Sequence, residues 1–168
     1  MCGIVGVVAG RNIPSILLQG LQRLEYRGYD SSGVAVIDED GALQVCRRPG
    51  KVQNLLQAME DEPIRGQTGI AHTRWATHGI VNEANSHPHS SGQRVSLVHN
   101  GIIENHNALR DELKAAGYIF ASDTDSEVVV HLVDSYLEAG QTLLDSVRLA
   151  IKRLEGAFAI AVMSPLFP

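Results

Sequence analysis

The residues able to do chemistry begin at position 2. The chain opens "MCGIVGVVAG", and removal of Met1 puts a thiol and a free α-amine on one residue. An α-amine titrates near ~7.7–8.0, close enough to neutrality to act as a general base. A thiol near ~8.5 is only partly ionised at neutral pH and gains from an adjacent base. Cys2 can thus be nucleophile and base at once, by the logic of an N-terminal threonine. From position alone, a small hydrophobe heading a strand is the better reading. Four further stretches set polar residues and glycine beside apolar strands: "LEYRGYDSSG", "HTRWATHG", "HPH" and "HNGIIEN". In the last, Asn100 offers a neutral side-chain donor and Gly101 allows close backbone approach, although Asn-Gly also reads as a plain turn. The chain has seven histidines. The spacings of His72, His78, His87, His89 and His99 match no zinc framework, and "HPH" is expected to shape a loop near the site.

The elements that must position these residues follow from periodicity. "GIVGVVAG" reads as a buried strand bounded by glycines. "NIPSILLQGLQRLEY" reads as a helix with Pro14 near its start and Ile13, Leu17, Leu21 and Leu24 on one stripe. "GVAVID" and "ALQVCRR" form a strand pair around the turn signal "DEDG", with Cys46 a small strand residue. "KVQNLLQAME" is a short amphipathic helix. "TGIAHTRWA" and "RVSLVHNG" are strands separated by a long polar loop. Helices follow at "ENHNALRDELKAAG", "TDSEVVVHLVDSYLEAG" and "TLLDSVRLAIKRLEG", and the second opens with the capping box Thr124-x-x-Glu127. "AFAIAVMS" is the last strand. Strands and helices come in blocks without regular β-α-β alternation, which predicts an α+β fold with mainly antiparallel sheets.

The 168 residues, 44% hydrophobic and 20% charged, fit one soluble domain, residues 1–168, with a substantial core. A formal net charge of −5 argues against a nucleic-acid partner, which favours clustered Lys and Arg. No stretch approaches the ~20 apolar residues needed to span a bilayer, and the N-terminus lacks a signal peptide's basic start. Two cysteines in such a chain favour a reducing, cytoplasmic setting over a disulfide staple.

Taken together, "CGIVG", "LEYRGYDSSG", "HTRWATHG", "HPH" and "HNGIIEN" resemble the class II, or N-terminal-nucleophile, glutamine amidotransferases, from Cys2 to about Met163. Two of these stretches, "LEYRGYDSSG" and "HTRWATHG", are similar to the branch that aminates fructose 6-phosphate rather than to the phosphoribosyl-transferring one. The resemblance implies a four-layer αββα sandwich, incomplete here at its C-terminus because the last residues, "PLFP", do not read as family sequence. It implies that Cys2 attacks the side-chain amide of L-glutamine, releasing ammonia and leaving a thioester that water hydrolyses. It places Asn100 and Gly101 in the oxyanion hole and Arg74 on the substrate α-carboxylate, with Thr77 and His78 adding hydrogen bonds. Trp75 belongs either to a loop closing over glutamine or to the core. Asp125 faces the α-ammonium, aided by Gly101, while Asp123 and Asp125 both suit helix capping. Arg27 and Gly28 line the site near Cys2. The family needs no metal or cofactor, and its ammonia passes to a separate sugar-phosphate isomerase domain absent from this chain. With a sheet edge missing, the piece is expected to be weakly active or to self-associate, for example as a homodimer. A non-catalytic glutamine-binding remnant, or an amidotransferase with another ammonia acceptor, remains open at this level.

Overall fold

The structure, a computed structural model, describes residues 2–75 and 80–167. Among the described residues, seven strands make two antiparallel sheets. The first has the order β1-β4-β2-β3, from β1 (Gly3–Val8), β2 (Ser31–Ile37), β3 (Leu43–Pro49) and β4 (Thr68–Arg74). The second has the order β5-β6-β7, from β5 (His89–Ser91), β6 (Val95–Ile103) and β7 (Gly156–Met163). Helices α1 (Pro14–Leu24) and α2 (Val52–Asp61) cover the outer face of the first sheet, and α3 (His106–Ala115), α4 (Asp125–Glu138) and α5 (Leu143–Ile151) cover that of the second.

Strand period sorts the core into three layers. On β2, Val34 and Val36 pack with Leu17, Leu21 and Leu55 of the helices, whereas Ala35 and Ile37 face the other sheet. On β6, Val95, Leu97 and Ile103 pack against α4, while Val98 turns inward to meet Ile70 and Met163. Both sheets therefore bury both faces. That explains the near-continuous apolar runs read from the sequence, and the arrangement is the αββα sandwich.

Three local features differ from the sequence reading. The polar loop contains β5, a three-residue strand with no apolar signal of its own. It is held instead by the Ser91 hydroxyl, which donates to Asp134 at 2.7 Å, and by His89 Nε2, 3.0 Å from Thr124 Oγ1. The strand drawn through "HTRWA" ends at Arg74, leaving Trp75 outside it. Only half of the capping box forms. Thr124 Oγ1 accepts from the Glu127 N–H, but the Glu127 carboxylate accepts from the N–H groups of Ala121 and Ser122 at 2.8 and 2.7 Å. Thr124 N–H turns to Ser122 Oγ instead. Glu127 thus ties down the loop entering α4 rather than its first turn.

Candidate active site

Sheet register brings distant residues to one end of the sandwich. β1 runs antiparallel to β4 with Gly3 opposite Thr73, so Cys2 arrives beside Trp75. Its Sγ accepts the Trp75 N–H at 3.1 Å. Gly3 packs closely here: an added Cβ would lie 2.6 Å from Leu24 Cδ1 and force that side chain to shift. β4 delivers Arg74, β6 delivers Gly101 and Ile102, and the start of α4 delivers Asp125 and Ser126. These residues, with Cys2, Trp75, His87, His99 and Thr124, enclose a cavity of about 220 Å³.

The cavity lining carries both signs of charge. Arg74 is buried, its Nη1 3.7 Å from Asp30 Oδ1, and its carbonyl accepts the Asp30 N–H at 2.7 Å. Opposite charge comes from Asp125, also buried, at the first turn of α4, where helix amides favour an anion. Its carboxylate accepts the Ile103 N–H at 2.9 Å and the Ser126 hydroxyl at 3.4 Å. Ser126 Oγ in turn lies 2.7 Å from His99 Nδ1. The cavity lining therefore offers a guanidinium, a carboxylate and a thiol.

Asn100 sits beside this cavity rather than in its lining. Its side-chain N–H donates to the Cys2 carbonyl at 3.3 Å, and its Oδ1 is 2.7 Å from His72 Nε2. Gly101 lies at φ +139, where a Cβ would be 2.2 Å from the Ala157 carbonyl oxygen, so only glycine fits between β6 and β7. Trp75 is 54% exposed, which excludes the core-packing reading: its indole stands over Gly28, where a Cβ would be 2.7 Å from Cζ3. Gly28 thus packs under Trp75 and does not line the cavity, and Arg27 lies in the 3₁₀ turn Glu25–Arg27 outside it. Asp123 does not line the cavity either; its N–H donates to Asn85 Oδ1. Thr77 and His78 lie outside the described residues.

The sequence reading sets "HPH" near the site but gives His72 and His99 no role of their own. His72, His87, His89 and His99 cluster without forming a metal site among the described residues. His72 and His87 stack with centroids 4.2 Å apart, and His87 Nδ1 accepts the His99 N–H at 3.3 Å. Burial pushes His72 down to about 4 and His87 well below the ordinary histidine range, so both are neutral at physiological pH. The available signal was period two: His72 and Arg74 share a face of β4. Asp30, beside Arg74, carried no comparable signal.

Two facing antiparallel sheets between helical layers, with a cysteine-headed first strand opening on a cavity that holds charged side chains, define the N-terminal-nucleophile architecture of amidotransferases. Solved structures agree. The glutamine phosphoribosylpyrophosphate amidotransferase of Bacillus subtilis, complexed with ADP and GMP, aligns at TM-score 0.81 and 28% identity, over 98% of this chain and 35% of its own. A glutamine aminotransferase class-II domain protein from Silicibacter pomeroyi shares the fold at TM-score 0.62 and 20% identity, over 97% of this chain and 73% of its own. Residues 72–165 match the glutamine amidotransferase domain family, and the chain belongs to that family. Across all 168 residues it is 58% identical to the glutamine–fructose-6-phosphate aminotransferase (isomerizing) of Pseudomonas putida and 56% identical to that of Escherichia coli. It spans 28% and 27% of the length of those relatives.

Proposed function

We propose that this domain hydrolyses the side-chain amide of L-glutamine, with Cys2 as nucleophile. The observation that carries the reading is a single small cavity holding the Cys2 thiol, the Arg74 guanidinium and the Asp125 carboxylate. Glutamine has a carboxylate and an ammonium at one end and an amide at the other. A cavity of about 220 Å³ is smaller than the ~300–1,000 Å³ sites of drug-sized ligands and suits an amino acid.

With Met1 removed, the Cys2 α-amine takes the thiol proton while Sγ bonds to the amide carbon. The negative charge on the amide oxygen meets the Asn100 side-chain N–H and the Gly101 backbone N–H. The proton passes to the leaving nitrogen, the C–N bond breaks, and ammonia departs. Water then adds to the thioester, the C–S bond breaks, and glutamate leaves. Arg74 holds the α-carboxylate and Asp125 the α-ammonium, while Trp75 walls the mouth and Thr77 and His78 add hydrogen bonds. The residues named need no metal or cofactor for these steps.

In the full-length protein the ammonia passes to a sugar-phosphate isomerase domain and converts fructose 6-phosphate to glucosamine 6-phosphate, in the cytoplasm. The support is the whole-chain identity to aminotransferases of that name, of which this chain matches 28% and 27%. The test is glutamate release from glutamine by the wild type and by Cys2→Ala. The variant should lose turnover while still binding glutamine; equal release from both proteins would refute the nucleophile assignment.

A further inference from the structure

We propose that His72 is a positioning residue that fixes which way round the Asn100 carboxamide sits, so that its N–H groups and not its oxygen face the nucleophile. The inference rests on the reading of Asn100 as an oxyanion donor and goes one layer deeper.

A side-chain amide has two orientations of nearly identical shape, and only its neighbours distinguish them. On one side Asn100 meets the Cys2 carbonyl oxygen at 3.3 Å, which can only accept. That side must therefore be Nδ2. The other side, Oδ1, lies 2.7 Å from His72 Nε2 and needs a donor there. His72 must then carry its proton on Nε2. Reversed, the amide would set oxygen against the Cys2 carbonyl and lose that bond, and it would keep a bond to His72 only if the ring moved its proton from Nε2 to Nδ1. It would also present an acceptor to a developing negative charge. Nδ2 has two hydrogens: one satisfies the Cys2 carbonyl and the second is left for the substrate oxygen.

The imidazole is itself locked. His72 is 0% exposed and lies face to face with His87, 4.2 Å between centroids and 26° between planes. His87 is anchored through its Nδ1 to the His99 N–H. Its carbonyl packs against β2 at Gly33, where a Cβ would stand 2.1 Å from that oxygen. The "HPH" segment thereby gains a role: it is the back wall behind His72, which is the back wall behind Asn100. Arg74, two residues along β4, reaches the substrate directly, so one strand face carries both a substrate contact and the support for an oxyanion donor.

The test is a double-mutant cycle on glutamine hydrolysis by this chain. Asn100→Ala should lower kcat by about 10²-fold or more, the usual cost of losing one such donor. His72→Leu, which keeps bulk but has no donor, should lower kcat by a comparable factor with KM within about twofold. His72→Gln, which can still donate to Oδ1, should recover at least about tenfold over His72→Leu. In the double variant the two losses should not multiply, because once the Asn100 amide is gone its orientation no longer matters. Losses that multiply, or a KM that moves with kcat in His72→Leu, would overturn the positioning role and leave Asn100 as donor. No effect of Asn100→Ala would overturn the oxyanion reading itself. Nitrogen-15 NMR of the wild-type imidazoles gives an answer independent of how the variants fold. His72 should be the neutral Nε2–H tautomer, and an Nδ1–H tautomer would sink the proposal.

Discussion

Acidification from neutrality should destabilise this fold well before its carboxylates titrate, and its buried imidazoles set the size of the loss. Burial pushes His72 down to about 4 and lowers His87 and His89 in the same direction, the latter against the opposing pull of Glu127. In the unfolded chain each returns to about 6.5. Between those values the unfolded state binds more protons than the folded one, so stability falls as pH falls. The loss starts near pH ~6.5 and, for His72, is complete only below pH ~4. Linkage puts the His72 share at about 2 kcal/mol by pH 5 and about 3 kcal/mol by pH 4. His87 and His89 add losses of the same sign. Glu127 acts in another window. Burial opposes its ionisation, but bonds from His131, Ser122 and the Ala121 and Ser122 N–H groups prevail and hold it below the usual carboxylate range. The stability it contributes is present above pH ~4.5 and is lost only below that value. Above pH ~4.5 the slope therefore belongs to the imidazoles. Urea unfolding followed by far-UV circular dichroism from about pH 7.5 to about pH 5 should show at least ~2 kcal/mol lost, with the slope parameter unchanged. A profile flat to ~0.5 kcal/mol over that range would mean that the rings are solvated or already charged in the folded protein, and the burial argument would fail.

Two further substitutions probe the walls of the cavity. Gly28 sits at φ +76 with the Trp75 ring 2.7 Å from any added Cβ, so Gly28→Ala should cost about 1–2 kcal/mol and displace the indole. Trp75 is the sole tryptophan, so protein fluorescence reads that displacement directly, and unchanged emission would refute the stacking. Arg74→Ala should raise the KM for glutamine by roughly 10–100-fold, the worth of a lost charge-assisted pair, with a smaller change in kcat; an unaltered KM would remove Arg74 from the carboxylate role.

Most of the fold was legible because periodicity and caps report burial, and burial is what both sheets impose. The αββα layering needs each sheet covered on both faces, and the valine-rich runs of β2 and β6 say so directly. β5 was illegible for the converse reason. Three residues, two of them serines, carry no apolar alternation, and what holds them is a hydroxyl on Asp134, 43 positions away in sequence. The half-formed capping box shows the same limit: Thr124 and Glu127 have the right spacing, but the orphan amides of Ala121 and Ser122 compete for the carboxylate and win.

The candidate site divides along the same line. Residues that would meet the substrate have chemistry that names them: a thiol beside an amine, a guanidinium for a carboxylate, a carboxylate for an ammonium. Residues that orient those groups do not. His72 is one histidine among seven, and its meaning lies in Asn100, 28 positions on and in the opposite sheet. Yet the strand containing it was readable. Once "HTR" is placed on β4, period two puts His72 on the face of Arg74, and an imidazole pointing between two closed sheets must find a polar partner or forfeit a buried hydrogen bond. A group able to accept from it across that interface, 2.7 Å away, is the Asn100 amide oxygen. A positioning role is therefore the physical consequence of burying a donor opposite a carboxamide, and it holds whatever acceptor finally takes the ammonia.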